Sequence, residues 1–354
     1  MITSKITGTG AYIPSMIKEN NAFLNERFYN EDGSSLTSEN DVIIDKFKVI
    51  TGIKERRYAK PESNTSDLAF FASQKAIEDA NINQEEIDYI ILAHNFGDVK
   101  YGTIQSDLLP SLATRVKYRL GIENPNCVAY DILFGCPGWV EGVIQAQAFI
   151  KAGIAKTCLV IGAETLSRVV DKFDRDSMIF SDGAGACIVQ ASDEGESGIL
   201  SHATQTFAKE EAFFLYYGES SNKTEDKDIR YIKMLGRKIY EFALVNVPLA
   251  MKSALDKSDV SIDDVKKVFI HQANEKMDEA IVKRFFRLFK KQVPEGAMPM
   301  SIHKLGNSSV ATVPTLFDLV LKGQIENQEV NKGDVIIFAS VGAGMNINAI
   351  VYKF

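Results

Sequence analysis

The 354-residue sequence has little of several features that mark common functional classes. It lacks a basic excess: forty Lys and Arg face forty-seven Asp and Glu, for a net charge of -7, which disfavours a protein that wraps nucleic acid. It has no run of about 18 uncharged apolar residues and no apolar leader, so we expect neither a membrane span nor export. The 45% of hydrophobic and 25% of charged residues are typical of a globular chain.

Cysteine and histidine are also scarce. The four cysteines (Cys127, Cys136, Cys158 and Cys187) show no C-x-x-C spacing, which favours a reducing, cytoplasmic location over a disulfide-linked scaffold. The four histidines show neither H-E-x-x-H nor zinc-ribbon spacing, so we expect no metal. The glycines at residues 8 and 10 do not extend to a dinucleotide-binding G-x-G-x-x-G motif, because Ile13 occupies its last position.

What the sequence does contain is an alternation of short β-branched runs with amphipathic segments. Continuous apolar runs of this kind predict strands buried on both faces, and therefore a layered α/β fold. The predicted strands lie at 89–92, 158–161, 268–270 and 335–338, and the clearest helices at 67–80, 138–151 and 239–254.

The chain also repeats itself at long range. Residues 76–92 and 254–270 share one pattern of helix, short acidic loop and buried strand. Two further matches follow in the same order: Gly135-Cys136 with Gly306-Asn307, and 181–185 with 340–344. Chance similarity of apolar patterns is the alternative. Duplication explains all three matches and predicts an N-terminal half at 1–193 and a C-terminal half at 194–354, with loop-like insertions at 18–40 and 205–230.

Three residues could carry chemistry. Cys136 precedes Pro137, a residue favoured at the first helical position, so Cys136 is predicted at a helix N-cap where amides and the helix dipole favour thiolate. His271 follows a buried strand, and Asn307 begins the matching helix of the second half. Read alone, each has a structural alternative: an inert cysteine, a structural histidine, an ordinary N-cap. The duplication would bring all three to one pocket, a set suited to thioester chemistry.

With these motifs in place, the sequence resembles the thiolase-like condensing enzymes, and most closely the β-ketoacyl-acyl carrier protein synthase III family. The resemblance runs nearly from end to end. It rests on Thr51-Gly52-Ile53-Lys54-Glu55-Arg56-Arg57, the Cys136 segment, 174–186, His271-Gln272-Ala273-Asn274, Gly306-Asn307-Ser308-Ser309 with Pro314, and the terminal Gly342-Ala343-Gly344.

The resemblance implies a duplicated five-layered α-β-α-β-α fold, a homodimer, and a catalytic triad at Cys136, His271 and Asn307. It implies acyl transfer from an acyl-coenzyme A or acyl carrier protein to Cys136, then decarboxylative condensation with malonyl-acyl carrier protein, as in fatty-acid initiation. Backbone amides of Cys136 and of the Ala343-Gly344 loop would form the oxyanion hole. The substrate-binding residues would be Arg168, Asn274 and Lys276, and no cofactor or metal is implied.

Departures from the family concern the substrate. Lys46 and Ile50 stand where the family's usual primer enzyme has a tryptophan and an arginine beside coenzyme A, and 95–108 is longer than usual near the wall that limits acyl length. A specialised condensing enzyme or acyltransferase of secondary metabolism with a longer primer is therefore the alternative. A non-decarboxylating acyl transferase, a thioester hydrolase and a silent partner subunit are further readings; the complete Cys-His-Asn set disfavours the last.

Overall fold

A computed structural model describes residues 3–193, 195 and 197–354, which contain fifteen strands and eight α-helices. The strands are β1 (Thr3–Tyr12), β2 (Met16–Glu19), β3 (Glu55–Tyr58), β4 (Tyr89–Ala93), β5 (Asp98–Val99), β6 (Ser106–Asp107), β7 (Val128–Ile132), β8 (Thr157–Thr165), β9 (Asp182–Ser192), β10 (Gly198–Thr206), β11 (Leu215–Gly218), β12 (Tyr231–Met234), β13 (Val265–Ile270), β14 (Val335–Gly342) and β15 (Asn346–Lys353). The helices are α1 (Asn40–Thr51), α2 (Thr65–Ala80), α3 (Leu112–Leu120), α4 (Gly138–Lys151), α5 (Gly236–Asp256), α6 (Glu275–Arg287), α7 (Ile302–Leu305) and α8 (Thr312–Leu321).

Two sheets form the centre of the molecule. The larger has the strand order β1-β9-β8-β4-β7, with β4 parallel to β7 and β8 and the other neighbours antiparallel. The smaller has the order β10-β15-β14-β13, with β13 parallel to β14 and the others antiparallel. Strands β8 and β14 are buried along their whole lengths, as their mostly apolar sequences predict.

Helices α4 and α8 lie between the two sheets. Trp139 of α4 and Phe317 of α8 share one apolar cluster with Val160 of the larger sheet and Phe338 of the smaller. The Phe338 ring meets the Trp139 and Phe317 rings edge-on, at centroid distances of 5.6 and 4.9 Å. Because α2 and α3 cover the outer face of the larger sheet, and α5 and α6 that of the smaller, the order of layers is α-β-α-β-α.

The helices and strands predicted from periodicity are confirmed, with small differences at their ends. Helix α2 begins at Thr65, where the Asp67 carboxylate accepts from the Asn64 N–H at 2.7 Å and so caps the first turn. The three cysteines other than Cys136 are buried and unpaired: Cys127, Cys158 and Cys187. Among the described residues, no helix has the length and apolar character needed to cross a membrane.

The predicted junction of the two halves falls between β9, which ends at Ser192, and β10, which begins at Gly198. Glu194, the first residue of the predicted second half, lies outside the described residues, as do the first two residues of the chain. The strands before this junction belong to the larger sheet or to small ribbons, and those after it to the smaller sheet or to the β11–β12 ribbon.

Candidate active site

Cys136 lies in a turn between β7 and α4. The Gly138 N–H donates to the Gly135 carbonyl at 3.0 Å, and this turn delays the helix, so that α4 begins at Gly138 with Pro137 as its N-cap. The prediction that Cys136 itself is the N-cap was therefore wrong by one residue. The thiol still immediately precedes the positive end of the helix.

Two glycines allow the backbone at Cys136 to approach the loop that follows β14. Gly135 has a φ of 65°, and a Cβ there would lie 2.5 Å from the Ala343 nitrogen. A Cβ on Gly342 would lie 2.3 Å from the Cys136 nitrogen. Because a larger residue would collide with backbone at either position, glycine is required. The close approach places Cys136 and Ala343, the predicted oxyanion-hole residues, on the wall of one cavity.

The Asn346 side chain braces this arrangement. Its Nδ2 donates to the Ala343 carbonyl at 2.9 Å and to the Phe134 carbonyl at 3.3 Å, which joins the two backbone segments. Gly344 has a φ of 75° and packs against the Asn346 side chain. It does not line the cavity, so of the two residues predicted in this loop only Ala343 does so.

His271 directly follows β13, and its N–H donates to the Ala339 carbonyl of β14 at 2.8 Å. The side chain is buried and lines the cavity, and its Nδ1 atom is enclosed with no hydrogen-bond partner among the described residues. Nε2 is therefore the ring nitrogen that is open to the cavity. Burial lowers the pKa of His271 to about 4, so the imidazole is neutral at neutral pH.

Asn307 is fixed by its backbone between two residues of the segment before β9. Its N–H donates to the Ile179 carbonyl at 2.9 Å, and its carbonyl accepts from the Ser181 N–H at 2.8 Å. Its side-chain Oδ1 accepts from the Ser309 N–H at 2.8 Å. Because this bond fixes the orientation of the amide, Nδ2 is the atom left to donate into the cavity.

These side chains share a cavity of about 270 Å³. Most of its wall is apolar, and the polar residues Cys136, His271, Asn307, Asn95 and Ser309 lie together on it. A second cavity of about 450 Å³ continues from the first. The two share five lining residues: Ile179, Met234, Ile239, Ala273 and Met277. We call them the inner and the outer cavity.

Comparisons with known proteins agree with this architecture. The profile of 3-oxoacyl-[acyl-carrier-protein] synthase III matches residues 130–207, and that of its C-terminal part matches 255–354. The β-ketoacyl-[acyl-carrier-protein] synthase III of Caldanaerobacter subterraneus is 32% identical over 100% of this chain and 98% of its own. That of Staphylococcus saprophyticus is 33% identical over 99% and 98%. This chain belongs to the β-ketoacyl-acyl carrier protein synthase III family.

A solved family structure has the same fold. The 3-oxoacyl-[acyl-carrier-protein] synthase III of Aquifex aeolicus superposes with a TM-score of 0.81 at 30% identity, covering 99% of this chain and 100% of that one. The predicted thiolase-like fold of five layers is confirmed, and the protein is a condensing enzyme of the acyltransferase class.

In this synthase III-type chain, burial changes the acid–base behaviour of Cys136. Burial raises the pKa of Cys136 to about 11, while a hydrogen bond from the Ser309 hydroxyl, 3.4 Å from Sγ, acts in the opposite direction. This desolvation opposes the effect of the helix end, which was predicted to favour a thiolate.

The other predicted binding residues lie away from the inner cavity. Arg168 is buried, and its Nη2 donates to the carbonyls of Lys60 at 2.8 Å and Ser63 at 3.1 Å, so it lines neither cavity. Asn274 lines the outer cavity and caps α6, with its Oδ1 accepting from an amide of the first turn. Lys276 is exposed on that turn and lines neither cavity.

Two of the departures noted in the sequence, Lys46 and Ile50, line the outer cavity, whereas the extended segment 95–108 contributes Asn95 and Phe96 to the inner cavity. The sequence motifs did not identify four further members of the site: Asn95, Glu164, Ser309 and Asn346. No spacing signal relates them, because they meet only through tertiary contacts. Asn95 and Ser309 did stand inside segments that had been singled out, at 95–108 and 306–309.

Proposed function

We propose that this condensing enzyme accepts an acyl group from a coenzyme A or carrier-protein thioester on Cys136 and condenses it with malonyl-acyl carrier protein, giving 3-oxoacyl-acyl carrier protein at the start of fatty-acid synthesis. The observation that carries the proposal is the convergence of Cys136, His271 and Asn307 on one apolar cavity. A thiol nucleophile and two hydrogen-bond donors are the groups that both half-reactions need.

In the first half-reaction the Cys136 thiol loses its proton and its sulfur bonds to the acyl carbon. The carbon–sulfur bond of the donor breaks, and the departing thiolate takes up a proton. The negative oxygen that forms in between would be met by the amides of Cys136 and Ala343, whose backbones approach at Gly135 and Gly342. Losing one such donor typically slows acyl transfer about a hundred- to a thousandfold.

In the second half-reaction the malonyl thioester loses carbon dioxide, and the electron pair of the broken bond forms an enolate. His271 Nε2 and Asn307 Nδ2 would donate hydrogen bonds to the enolate oxygen. The enolate carbon then bonds to the acyl carbon, and the Cys136 sulfur leaves and regains its proton. A neutral imidazole suits this role, and burial holds His271 in that form.

The outer cavity provides a path for the thioester arm. It connects the inner cavity with a surface that carries Lys46, Arg175 and Arg237, which all line it. Cationic side chains at such a mouth suit the phosphate that joins the arm to coenzyme A or to a carrier protein. Lys276 is exposed next to Met277, which lines this cavity, and would meet an acidic carrier protein although the chain as a whole has a net charge of -7.

The walls of the inner cavity favour an acyl primer longer than acetyl as the second candidate, in a specialised pathway. Leu215 and Tyr217 line it from the segment 205–230, which was read as an insertion, and Phe96 lines it from the extended segment 95–108. Ile232 of the neighbouring strand β12 also lines it. Apolar surface of this kind binds methylene groups, at about 0.8 kcal/mol for each one buried.

The edge of the larger sheet supports a homodimer. Strand β7 is its last strand, so one side of its backbone pairs with no strand among the described residues. Val128 and Leu133 at this edge are exposed, as are Leu109 and Tyr118. Edge strands with apolar neighbours are usually covered, and a second copy of β7 would cover this one.

The unpaired cysteines are consistent with action in the cytoplasm.

We further infer that 1–193 and 194–354 are duplicated halves. In each, a parallel strand pair is continued by antiparallel strands: β4 and β8 by β9 and β1 in the first, and β13 and β14 by β15 and β10 in the second.

The decisive experiment is the intact mass of the protein after exposure to a panel of acyl-coenzyme A and acyl-carrier thioesters, with Cys136→Ala as the matched control. We expect a gain of one acyl group in the unmodified protein and none in Cys136→Ala, with the largest gain identifying the primer. Adduct formation undiminished in Cys136→Ala would contradict the proposal.

Release of carbon dioxide from malonyl-acyl carrier protein in the presence of the acylated enzyme tests the second half-reaction. Acylation followed by hydrolysis or transfer with no carbon dioxide would instead favour a non-decarboxylating acyltransferase or a thioester hydrolase.

A further inference from the structure

A chain of polar groups that the proposed mechanism does not use ends at the Cys136 sulfur. The Ser309 Oγ lies 3.4 Å from Sγ and 3.1 Å from the Nδ2 of Asn95. The same Nδ2 also donates to Oε1 of Glu164. Glu164 is 1% exposed and Ser309 4%, so the chain runs through the interior of the protein.

The hydrogen atoms in this chain have one consistent arrangement. The Asn95 amide directs its NH₂ group toward both acceptors, Oε1 of Glu164 and Oγ of Ser309. Oε1 can accept this bond whether or not the other carboxyl oxygen carries a proton. Ser309 Oγ accepts from that amide and has a single hydrogen of its own. That hydrogen is therefore free to point at the sulfur, where it stabilises negative charge. With the amide flipped, its oxygen would face Ser309 and reverse the direction of the Ser309 hydroxyl.

Ser309 itself is held in an unusual conformation. Its φ of 54° lies in the left-handed region, which residues other than glycine seldom adopt and which costs of the order of 1 kcal/mol. In this conformation its N–H donates to Oδ1 of Asn307 while its hydroxyl reaches Cys136. One residue thus orients two members of the proposed triad.

The segment that carries Asn95 is fixed from behind by His94. Its Nδ1 accepts from the Gly97 N–H at 3.0 Å, so its Nε2 carries the proton that is donated to Asp131 at 3.0 Å. Asp131 in turn accepts from two amides of α3. These bonds hold the amide of Asn95 in place on a rigid support.

We propose that Asn95 and Glu164 are positioning residues that aim the Ser309 hydroxyl at the Cys136 sulfur and so set the reactivity of the thiol. This rests on the proposed function, because it takes Cys136 as the nucleophile. The test uses alkylation by iodoacetamide, which needs no acyl substrate. A negative result in the alkylation test can therefore be distinguished from a negative result in the acylation experiment.

The measurement is the rate of alkylation of Cys136 at pH 7.5, followed by the mass of the peptide that contains it. Hydrogen bonds to charged groups contribute enough that we expect Ser309→Ala to slow alkylation about ten- to a hundredfold, and Asn95→Ala about tenfold. In the Ser309→Ala background, Asn95→Ala should add less than twofold, because Asn95 acts through Ser309. Ser308→Ala is the matched control, and its rate should equal that of the unmodified protein.

The pH profile provides a readout that a merely structural role would not change. Burial raises the pKa of Glu164 to about 8. The charged or titratable groups that face it are Cys136 and Asp182. As Glu164 ionises, its negative charge opposes formation of the thiolate. The rate should therefore rise less than tenfold per pH unit above about pH 8, and Glu164→Gln, which keeps an acceptor for Asn95, should restore the full slope.

The proposal would be overturned if the alkylation rate of the Asn95→Ala and Ser309→Ala double variant fell by the product of the two single effects. It would also be overturned if Ser309→Ala reacted at the rate of the unmodified protein. If the alkylation rate of Glu164→Gln shows the same reduced rise above about pH 8 as that of the unmodified protein, the role assigned to Glu164 is wrong. Should Asn95→Ala fail to fold, Asn95→Asp takes its place: its carboxylate facing Glu164 should also slow alkylation, and a rate equal to that of the unmodified protein would contradict the inference.

Discussion

At the scale of single residues, the site requires positions without a side chain as well as its reactive side chains. Gly342 has extended backbone and no side chain, and this lets the loop after β14 approach the Cys136 nitrogen. The sequence pattern predicted Cys136, His271 and Asn307 because each was expected at the end of a strand or the start of a helix. It could not predict Asn95 or Glu164, because their contacts with Ser309 arise only after distant segments have packed together.

Gly342→Ala should therefore strongly reduce activity, although alanine can adopt the extended backbone conformation of this position. Its Cβ would lie 2.3 Å from the Cys136 nitrogen, and the nucleophile must move by an appreciable fraction of an ångström or more. Displacements of about 1 Å commonly cost about a hundredfold, and we expect at least that loss in kcat/KM. Gly183→Ala is the control, because its nearest neighbour would be 3.6 Å away. Equal activity in the two variants would contradict the steric explanation.

His271 makes stability depend on pH. Its folded-state pKa of about 4 lies below the ordinary value of 6.5, so the unfolded chain binds the extra proton between these values. Stability is lost as the pH falls through this window, by about 3 kcal/mol at pH 4. His271→Gln should remove that part of the acid sensitivity in urea unfolding at pH 7 and pH 4. His303→Gln, whose ring is about a third exposed, should keep it.

At the scale of elements, the buried strands and amphipathic helices were predictable because their periodicity reflects which faces are covered. The β11–β12 ribbon was not, because the segment at 205–230 reads as a polar loop. Its strands nevertheless form part of the wall of the inner cavity, where the Tyr217 ring packs at a tilt against the Phe96 ring with centroids 5.3 Å apart. Local sequence does not show that a polar segment carries two aromatic residues into a cavity.

Tyr217→Ala should shift the acyl preference toward longer chains. Removing the ring enlarges the inner cavity beside Phe96. Each further methylene that it then buries should raise kcat/KM for the acyl donor about fourfold, the equivalent of about 0.8 kcal/mol. Phe213→Ala, an exposed aromatic of the same segment, should leave the preference unchanged. A chain-length profile identical in Tyr217→Ala and the unmodified protein would show that this wall does not limit the acyl chain.

At the scale of the whole molecule, the charge is unevenly placed. The chain is acidic, yet Lys46, Arg175 and Arg237 line the outer cavity and Lys276 lies nearby on α6. A layered α/β fold followed from the sequence because continuous apolar strands need helices on both faces of a sheet. The continuity of the two cavities could not be predicted from the sequence, because it depends on how α1, α5 and α6 meet.

Lys276→Glu should raise the apparent Michaelis constant for malonyl-acyl carrier protein, because it removes a cation that would attract an acidic partner. We expect a severalfold increase that shrinks at high salt, with kcat little changed. Lys266→Glu makes the same change in net charge at an exposed position that lines neither cavity. The same Michaelis constant in all three proteins would contradict docking at α6.

Val128→Asp should weaken the proposed dimer. A carboxylate at the β7 edge would be buried without a partner when two copies pair, so we expect the dimer to dissociate at least tenfold more readily in sedimentation velocity. Ile154→Asp changes another exposed apolar residue and should leave the association unaltered. A dimer of equal strength in both variants would place the contact elsewhere.

The shared lining of the inner and outer cavities has a consequence for kinetics. The acyl donor and the malonyl acceptor would both reach Cys136 by this passage. The thiol released from the donor must therefore leave before the acceptor can enter. Initial-rate measurements should then give parallel lines in double-reciprocal plots. At high concentration the acceptor should also inhibit, because it would occupy the passage of the enzyme that has not yet been acylated.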